Sequence, residues 1–107
     1  MIQMTLINIE VGKYLAQPLY TINYTVDKVE TSENRTAICP PGIPERSQVI
    51  NAIIRQDYPE DKMEATINNY LFDPTDVDSK AAFDEMQDFR RAAKEFTDSI
   101  LVKLKGE

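Results

Sequence analysis

A chain of 107 residues, 42% hydrophobic and 28% charged, has the composition of one folded domain and too little length for two independent cores. It contains no histidine and one cysteine, Cys39, which excludes structural zinc sites, Ser-His triads, Cys-His dyads and an intramolecular disulfide. Eighteen acidic against twelve basic residues leave a formal charge of −6, which opposes nucleic-acid binding by phosphate neutralisation.

The first third reads as β-structure. From Leu19 to Asp27, the residues Tyr20, Ile22, Tyr24 and Val26 alternate with Thr21, Asn23, Thr25 and Asp27, the period-two pattern of a strand with one buried face. Ile2 to Val11 alternates in two phases: Ile2, Met4 and Leu6 hold one, and Ile7, Ile9 and Val11 the other. The shift at Leu6-Ile7 marks either a bulge or a strand buried on both faces. Gly12 and Lys13 break this run, and the short apolar Tyr14-Leu15-Ala16 is left unassigned. The polar Thr31–Arg35 cluster has turn chemistry, and Thr36–Cys39 is a short returning strand. A meander of two or three antiparallel strands needs a cover for its apolar face.

Three prolines and a glycine in Pro40–Pro44 exclude helix and central strand, and read as a stiff connector. Three helices are expected beyond it. The first runs from about Glu45 to Gln56, with Val49, Ile50, Ile53 and Ile54 as its apolar stripe. The second runs from about Pro59 to Phe72, with Asp57 as N-cap, Glu60 in a capping box, and Met63, Ile67, Tyr70 and Leu71 on one side. The third runs from about Ser79 to Lys103, with Asp78 as N-cap. Phe83, Met86, Phe89, Ala93, Phe96, Ile100 and Leu104 recur at steps of three or four and form the strongest periodic signal in the chain. Residues 1–54 carry a net charge of −1 and residues 55–107 a net of −5, so the helical half is electronegative.

The candidate chemical motifs have plainer readings. Asp73, Asp76 and Asp78 resemble the start of a calcium loop, but Lys80, Ala81 and Gln87 occupy positions that need an oxygen ligand, a glycine and a glutamate. Helix capping accounts for these aspartates. The carboxylates lie mostly beside Lys or Arg, without the apolar surroundings that make a general acid. Cys39 has no histidine to activate it and reads as a small buried residue. Arg90, Arg91 and Lys94 form a basic patch expected to pair with acids one turn away.

The run Arg46–Arg55, RSQVINAIIR, resembles the second helix of ribbon-helix-helix DNA-binding proteins. Here TAICPPGIP stands where that family's first helix belongs. A longer pattern spans Ala52, Ile53, Ile54, Arg55, Tyr58, Asp61, Glu64, Ala65 and Ile67, then the aromatic acidic stretch Phe83–Phe89. It resembles small phage- or prophage-encoded proteins found near tail or structural components. That resemblance covers the helical half and implies a setting, not a catalytic motif.

The expected fold is α+β in one domain, 1–107: a β part (1–39), the connector (40–44) and a helical part (45–104). Ile50, Ile53, Ile54, Phe83, Met86, Phe89 and Phe96 are the expected helix-packing residues. No catalytic, cofactor-binding or metal-ligating residue is assigned, and no cofactor is expected. The expected function is a non-enzymatic protein-interaction or assembly module working through the sheet edge and a helical face, with a protein partner or further copies of itself. The alternatives are a DNA-binding regulator of ribbon-helix type, and a small-molecule or divalent-cation domain using Tyr14, Tyr20 and Tyr24 or the aspartate loop. No apolar run approaches the roughly 20 residues of a membrane span. Residues 1–12 also lack the basic start and apolar stretch of a signal peptide. A cytoplasmic protein is expected, with a phage-like particle as the setting the resemblance implies.

Overall fold

The computed structural model describes residues 1–104 as an α+β fold, three antiparallel strands in the order β1-β2-β3 followed by three helices. The strands are β1 (Gln3–Tyr14), β2 (Gln17–Asp27) and β3 (Ser32–Ile38); the helices are α1 (Arg46–Asp57), α2 (Glu60–Phe72) and α3 (Val77–Leu104). Lys105 to Glu107 lie outside the described residues.

Tyr20, Ile22, Tyr24 and Val26 of β2 are all buried, as their alternation requires. The two phases of β1 have one cause. The β1–β2 register shifts between Leu6 and Asn8, so Ile7 is the extra residue of a bulge and is 52% exposed. Met4 and Leu6 pair with Val26 and Tyr24 before the bulge, and Ile9 and Val11 pair with Ile22 and Tyr20 after it. The insertion brings Ile9 and Val11 back to the face that Met4 and Leu6 share with the β2 core residues. The opposite face is open and polar. There Asn23 donates to Asn8 (2.7 Å) and Glu10 (2.9 Å) and accepts from the Thr36 hydroxyl (2.8 Å), linking all three strands.

Three strand boundaries differ from the sequence expectation. β1 does not stop at Gly12: Gly12, Lys13 and Tyr14 pair with Leu19, Pro18 and Gln17, closing a hairpin on the two-residue loop Leu15-Ala16. Both loop residues have positive φ, 51° and 69°, as a twist-matched two-residue turn demands, although neither is Gly or Asn. β2 tolerates Pro18 because it has outrun β3 at that point. The Pro18 carbonyl accepts from Gly42 N–H (2.7 Å), so the side lacking a donor faces the connector, not β1. The β2–β3 turn lies at Lys28–Thr31, closed by Lys28 N–H to Thr31 O (2.8 Å), and Ser32–Arg35 belong to β3. Their polarity reflects an edge strand on a one-sided sheet.

The core lies between the sheet, α1 and α3. Val49, Ile50, Ile53 and Ile54 of α1 and Met86, Phe89, Ala93, Phe96, Ile100 and Leu104 of α3 are buried in it. Phe83 is half-buried and stacks instead on Tyr70 of α2, ring centroids 4.2 Å apart at 11°. Tyr24 packs against Phe96 and Tyr58 against Phe89. Cys39 is buried immediately after β3, where burial pushes its thiol pKa up.

The helix caps differ from the expected ones. α1 starts one residue later, with Glu45 and Gln48 forming a capping box. Asp57 ends α1 rather than capping α2, whose N-cap is Pro59 with no side-chain bond. Asp57 is instead drawn to Arg35 on β3. α3 starts at Val77, two residues early, because Asp76 rather than Asp78 accepts from Ser79 N–H (2.9 Å).

The molecule measures 50 × 28 × 18 Å with a radius of gyration of 15.3 Å. A compact chain of this length would have about 13 Å. The excess comes from two projections at opposite ends. β1 and α3 run side by side in the same direction: Ile2 N–H meets Asp88 (2.7 Å), and Arg91 donates to Ile2 O (2.8 Å). The β1–β2 loop therefore extends past one end of α3, and the α2–α3 turn forms the other end.

Candidate interaction surfaces

The helical projection is α2 with the first half of α3. α2 buries no residue completely; its half-buried Met63, Ile67 and Tyr70 face α3. Lys28 in the β2–β3 turn reaches Glu85 (3.2 Å), and Val77–Asp84 carries α3 roughly 12 Å further. At the far end Leu71, Phe72 and Val77 are 67%, 91% and 79% exposed. The sequence places Leu71 on the same side of α2 as Met63, Ile67 and Tyr70, yet it is exposed. The α2 stripe runs 63, 67, 70; Phe72 lies about 175° around the helix from its centre, whereas Leu71, four residues after Ile67, lies only about 75° from it. For Phe72 that phase signals an outward-facing side chain; Leu71 carries no such signal.

Charge singles out the same projection. Residues 59–85 contain eight acidic and two basic side chains, a net of −6 equal to that of the whole chain. Asp73, Asp76 and Asp78 surround the apolar end. Asp73 accepts from Thr75 N–H (3.1 Å) and its hydroxyl (2.6 Å), and Asp76 caps α3. These aspartates order the turn. Among the described residues no cluster of three or more His, Cys, Asp or Glu side chains is placed to share a metal ion.

The second projection is the β-hairpin. Val11, Tyr14 and Leu15 are 62%, 54% and 83% exposed. The sheet edge beside them is blunted. Ile7 bulges from β1, Lys13 points to the apolar side, and Ile2 is already bonded to α3. Tyr14, Tyr20 and Tyr24 are not brought together: Tyr14 is exposed near the tip, while Tyr20 and Tyr24 lie in the core.

Comparison with family models, curated proteins and solved structures finds no match for this chain. The residues of the phage-like pattern nonetheless have physical roles. Ile53 and Ile54 enter the core, and Arg55 donates to Tyr58 O (3.2 Å), bracing the α1–α2 turn. The RSQVINAIIR helix is α1, with its apolar side spent on its own core.

Two concavities flank α3. One, of about 180 Å³, is lined by Lys28, Asp57, Tyr58, Lys62 and Glu85. Its polar groups are already engaged: Lys28 pairs with Glu85, the Asp57 carboxylate with Arg35, and Lys62 donates to the Asp57 backbone carbonyl (3.1 Å) with its ammonium 4.7 Å from the Tyr58 ring centroid. The other, of about 290 Å³, lies between the start of β1 and α3 and is lined by Ile2, Met4, Arg91, Glu95, Phe96 and Ser99 among others. Arg91 also borders a shallow surface with Arg90 and Lys94. Arg91 pairs with Asp88 and Glu95, as expected from the spacing, whereas Arg90 donates to the Gln87 side chain. Neither Arg90 nor Lys94 forms an ion pair among the described residues. Among those residues no helix is long and apolar enough to cross a membrane.

Proposed function

We propose that this protein is a non-enzymatic interaction module that assembles with protein partners through its projecting ends. One observation carries the reading: Phe72, 91% exposed, stands with Leu71 and Val77 at the end of an arm bearing charge equal to the molecule's entire net charge. Single exposed apolar residues are ordinary, but a group of them held clear of the core by a paired-helix strut is surface available for burial by another molecule. The hairpin end repeats the design with Tyr14 and Leu15. The resemblance of the helical half to phage- and prophage-encoded proteins makes a phage-like particle the setting we favour.

A photo-crosslinking amino acid placed at position 72, at position 15, or at position 36 on the open polar sheet face tests this in the native host. Adducts to other proteins at 72 or 15, and none at 36, are expected. Absence of protein adducts at both ends overturns the reading.

A further inference from the structure

We propose that the outer edge of β3 pairs antiparallel with the same edge of a second copy, about a two-fold axis at Asn34, joining two three-stranded sheets into one. This surface is separate from both projecting ends and does not depend on the reading above.

The two edges of the sheet are treated differently. β1 is interrupted by the Ile7 bulge and tied at Ile2 to α3. β3 keeps an unbroken register against β2 from Ser32 to Ile38 and contains no proline and no lysine. The bonds from Cys39 N–H to Tyr20 O (3.0 Å) and from Lys28 N–H to Thr31 O (2.8 Å) set its phase. Glu33, Arg35 and Ala37 therefore exchange backbone bonds with β2, while the backbone groups of Ser32, Asn34, Thr36 and Ile38 point outward. Among the described residues those four outward N–H groups have no partner. The Asn34 carbonyl accepts from Arg35 Nη1 (3.0 Å), which leaves its second lone pair open. Such a row is a template for another strand.

The sequence of β3 names that strand. Antiparallel pairing sets outward residues opposite outward residues, which allows three central registers for two copies. Asn34 opposite Thr36 puts Arg35 against Arg35. Thr36 opposite Thr36 puts Arg35 against Ala37. Asn34 opposite Asn34 puts Glu33 against Arg35 on both sides of the axis, at the non-hydrogen-bonded positions where side chains approach most closely. The Glu33 side chain is 53% exposed and its contact with its own Arg35 is long, 3.4 Å, so it is open to a second guanidinium.

The helical layer favours the same register. α1 enters from the Cys39 end of β3 and stops at Asp57, which is bonded to Arg35. With the axis at Asn34, the α1 helices of the two copies run away from it in opposite directions and do not contend for one space. The half of the chain that holds the sheet carries a net charge of only −1, so the approach avoids the acidic arms. The outer edges of the joined sheet are the interrupted β1 strands, so assembly closes at two. One short strand pair buries less than an obligate dimer does, so the copies separate on dilution.

Sedimentation velocity of the full chain from micromolar to millimolar concentration tests the proposal. A monomer–dimer equilibrium without larger species is expected. Asn34→Pro removes an outward N–H and no bond to β2, and should leave a monomer that circular dichroism shows to be folded. Glu33→Arg, at an exposed side chain, sets like charges opposite each other and should weaken the dimer roughly tenfold. Asn34→Cys should give a covalent dimer on mild oxidation, and Thr36→Cys should not, because only position 34 meets itself across the axis. A monomer at every concentration, growth beyond two, a dimer indifferent to both Asn34→Pro and Glu33→Arg, or oxidation that links Cys at 36 as readily as at 34 overturns it.

Discussion

Arg35 on β3 grips Asp57 at the end of α1 through two N–H···O contacts, Nε to Oδ1 at 2.9 Å and Nη2 to Oδ2 at 3.3 Å. The pair joins the edge strand to the helical layer at the point where α1 ends. Its carboxylate is only 11% exposed, so it differs from the loose surface pairs that contribute little. Asp57→Ala is expected to destabilise the fold by about 1–3 kcal/mol. Urea unfolding of this variant, of Arg35→Ala and of the double variant measures the coupling. A coupling indistinguishable from zero would show the pair to be ornamental.

Thr97 poses the opposite case. It is fully buried in α3, and its Oγ1 has no hydrogen-bond partner among the described residues. A desolvated hydroxyl without a bond costs stability, and valine keeps nearly the same shape without it. Thr97→Val should raise stability by about 1–2 kcal/mol in urea melts. A loss of stability would mean that the hydroxyl has a partner in solution.

The hairpin loop carries stored strain. Leu15 and Ala16 both occupy the left-handed region, which disfavours side chains with a Cβ. Leu15→Asn with Ala16→Gly supplies the residues that such a turn prefers, and should stabilise by about 1 kcal/mol. A lower thermal midpoint in that double variant would refute the turn assignment.

Core and arm should respond differently to the same truncation. Phe89 is 1% exposed and packs on Tyr58, so Phe89→Ala is expected to cost about 3–5 kcal/mol. Phe72→Ala should shift stability by less than about 0.5 kcal/mol, as exposed positions do. Chemical denaturation of both variants checks the contrast. A large loss from Phe72→Ala would place that ring inside the fold.

Acid and alkali should destabilise the protein by separate routes. Ile2 N–H and Arg91 hold the Asp88 carboxyl below its ordinary value, and hydrogen bonds from Ser32 and Thr5 do the same for Asp27. Such groups favour the fold while ionised. Their contribution is present above the unfolded value, near ~3.9, and is lost as pH falls toward the lower folded values. Burial, then the nearby Glu85 and Asp57 charges, pushes Tyr58 up to about 12, and burial also raises Tyr24. An unfolded tyrosine ionises near ~10, so stability should fall as pH rises past that point. Urea midpoints across pH should form a plateau with two falling limbs, and Asp88→Asn should flatten the acid limb. An unchanged acid limb in that variant would remove Asp88 from the account.

Much of the architecture could be read from residue spacing, because burial imposes a period. The β2 alternation and the α3 stripe identified their core faces directly, and the Leu6-Ile7 phase change located the bulge. Features set by pairing across the fold left weaker traces. Asp57 looked like a cap because its sequence neighbours suit one; only the return of β3 brings Arg35 to it. Ser32–Arg35 looked like a turn because an edge strand on an open face need not be apolar. Leu15-Ala16 lacks the usual Asn-Gly signature, so the hairpin could be recognised only from the strands on either side. The arm was half visible: its helices followed from periodicity, but nothing local revealed that α2 would stand clear of the sheet.

The confinement of net charge to residues 59–85 gives the molecule a permanent electrical polarity along its 50 Å axis. In an external field it behaves as an oriented rod rather than a uniformly acidic particle. A cationic surface, whether a chromatography bead or a biological lattice, captures it arm first and leaves the hairpin pointing outward. A layer of copies laid down this way shares one orientation before any specific contact has formed.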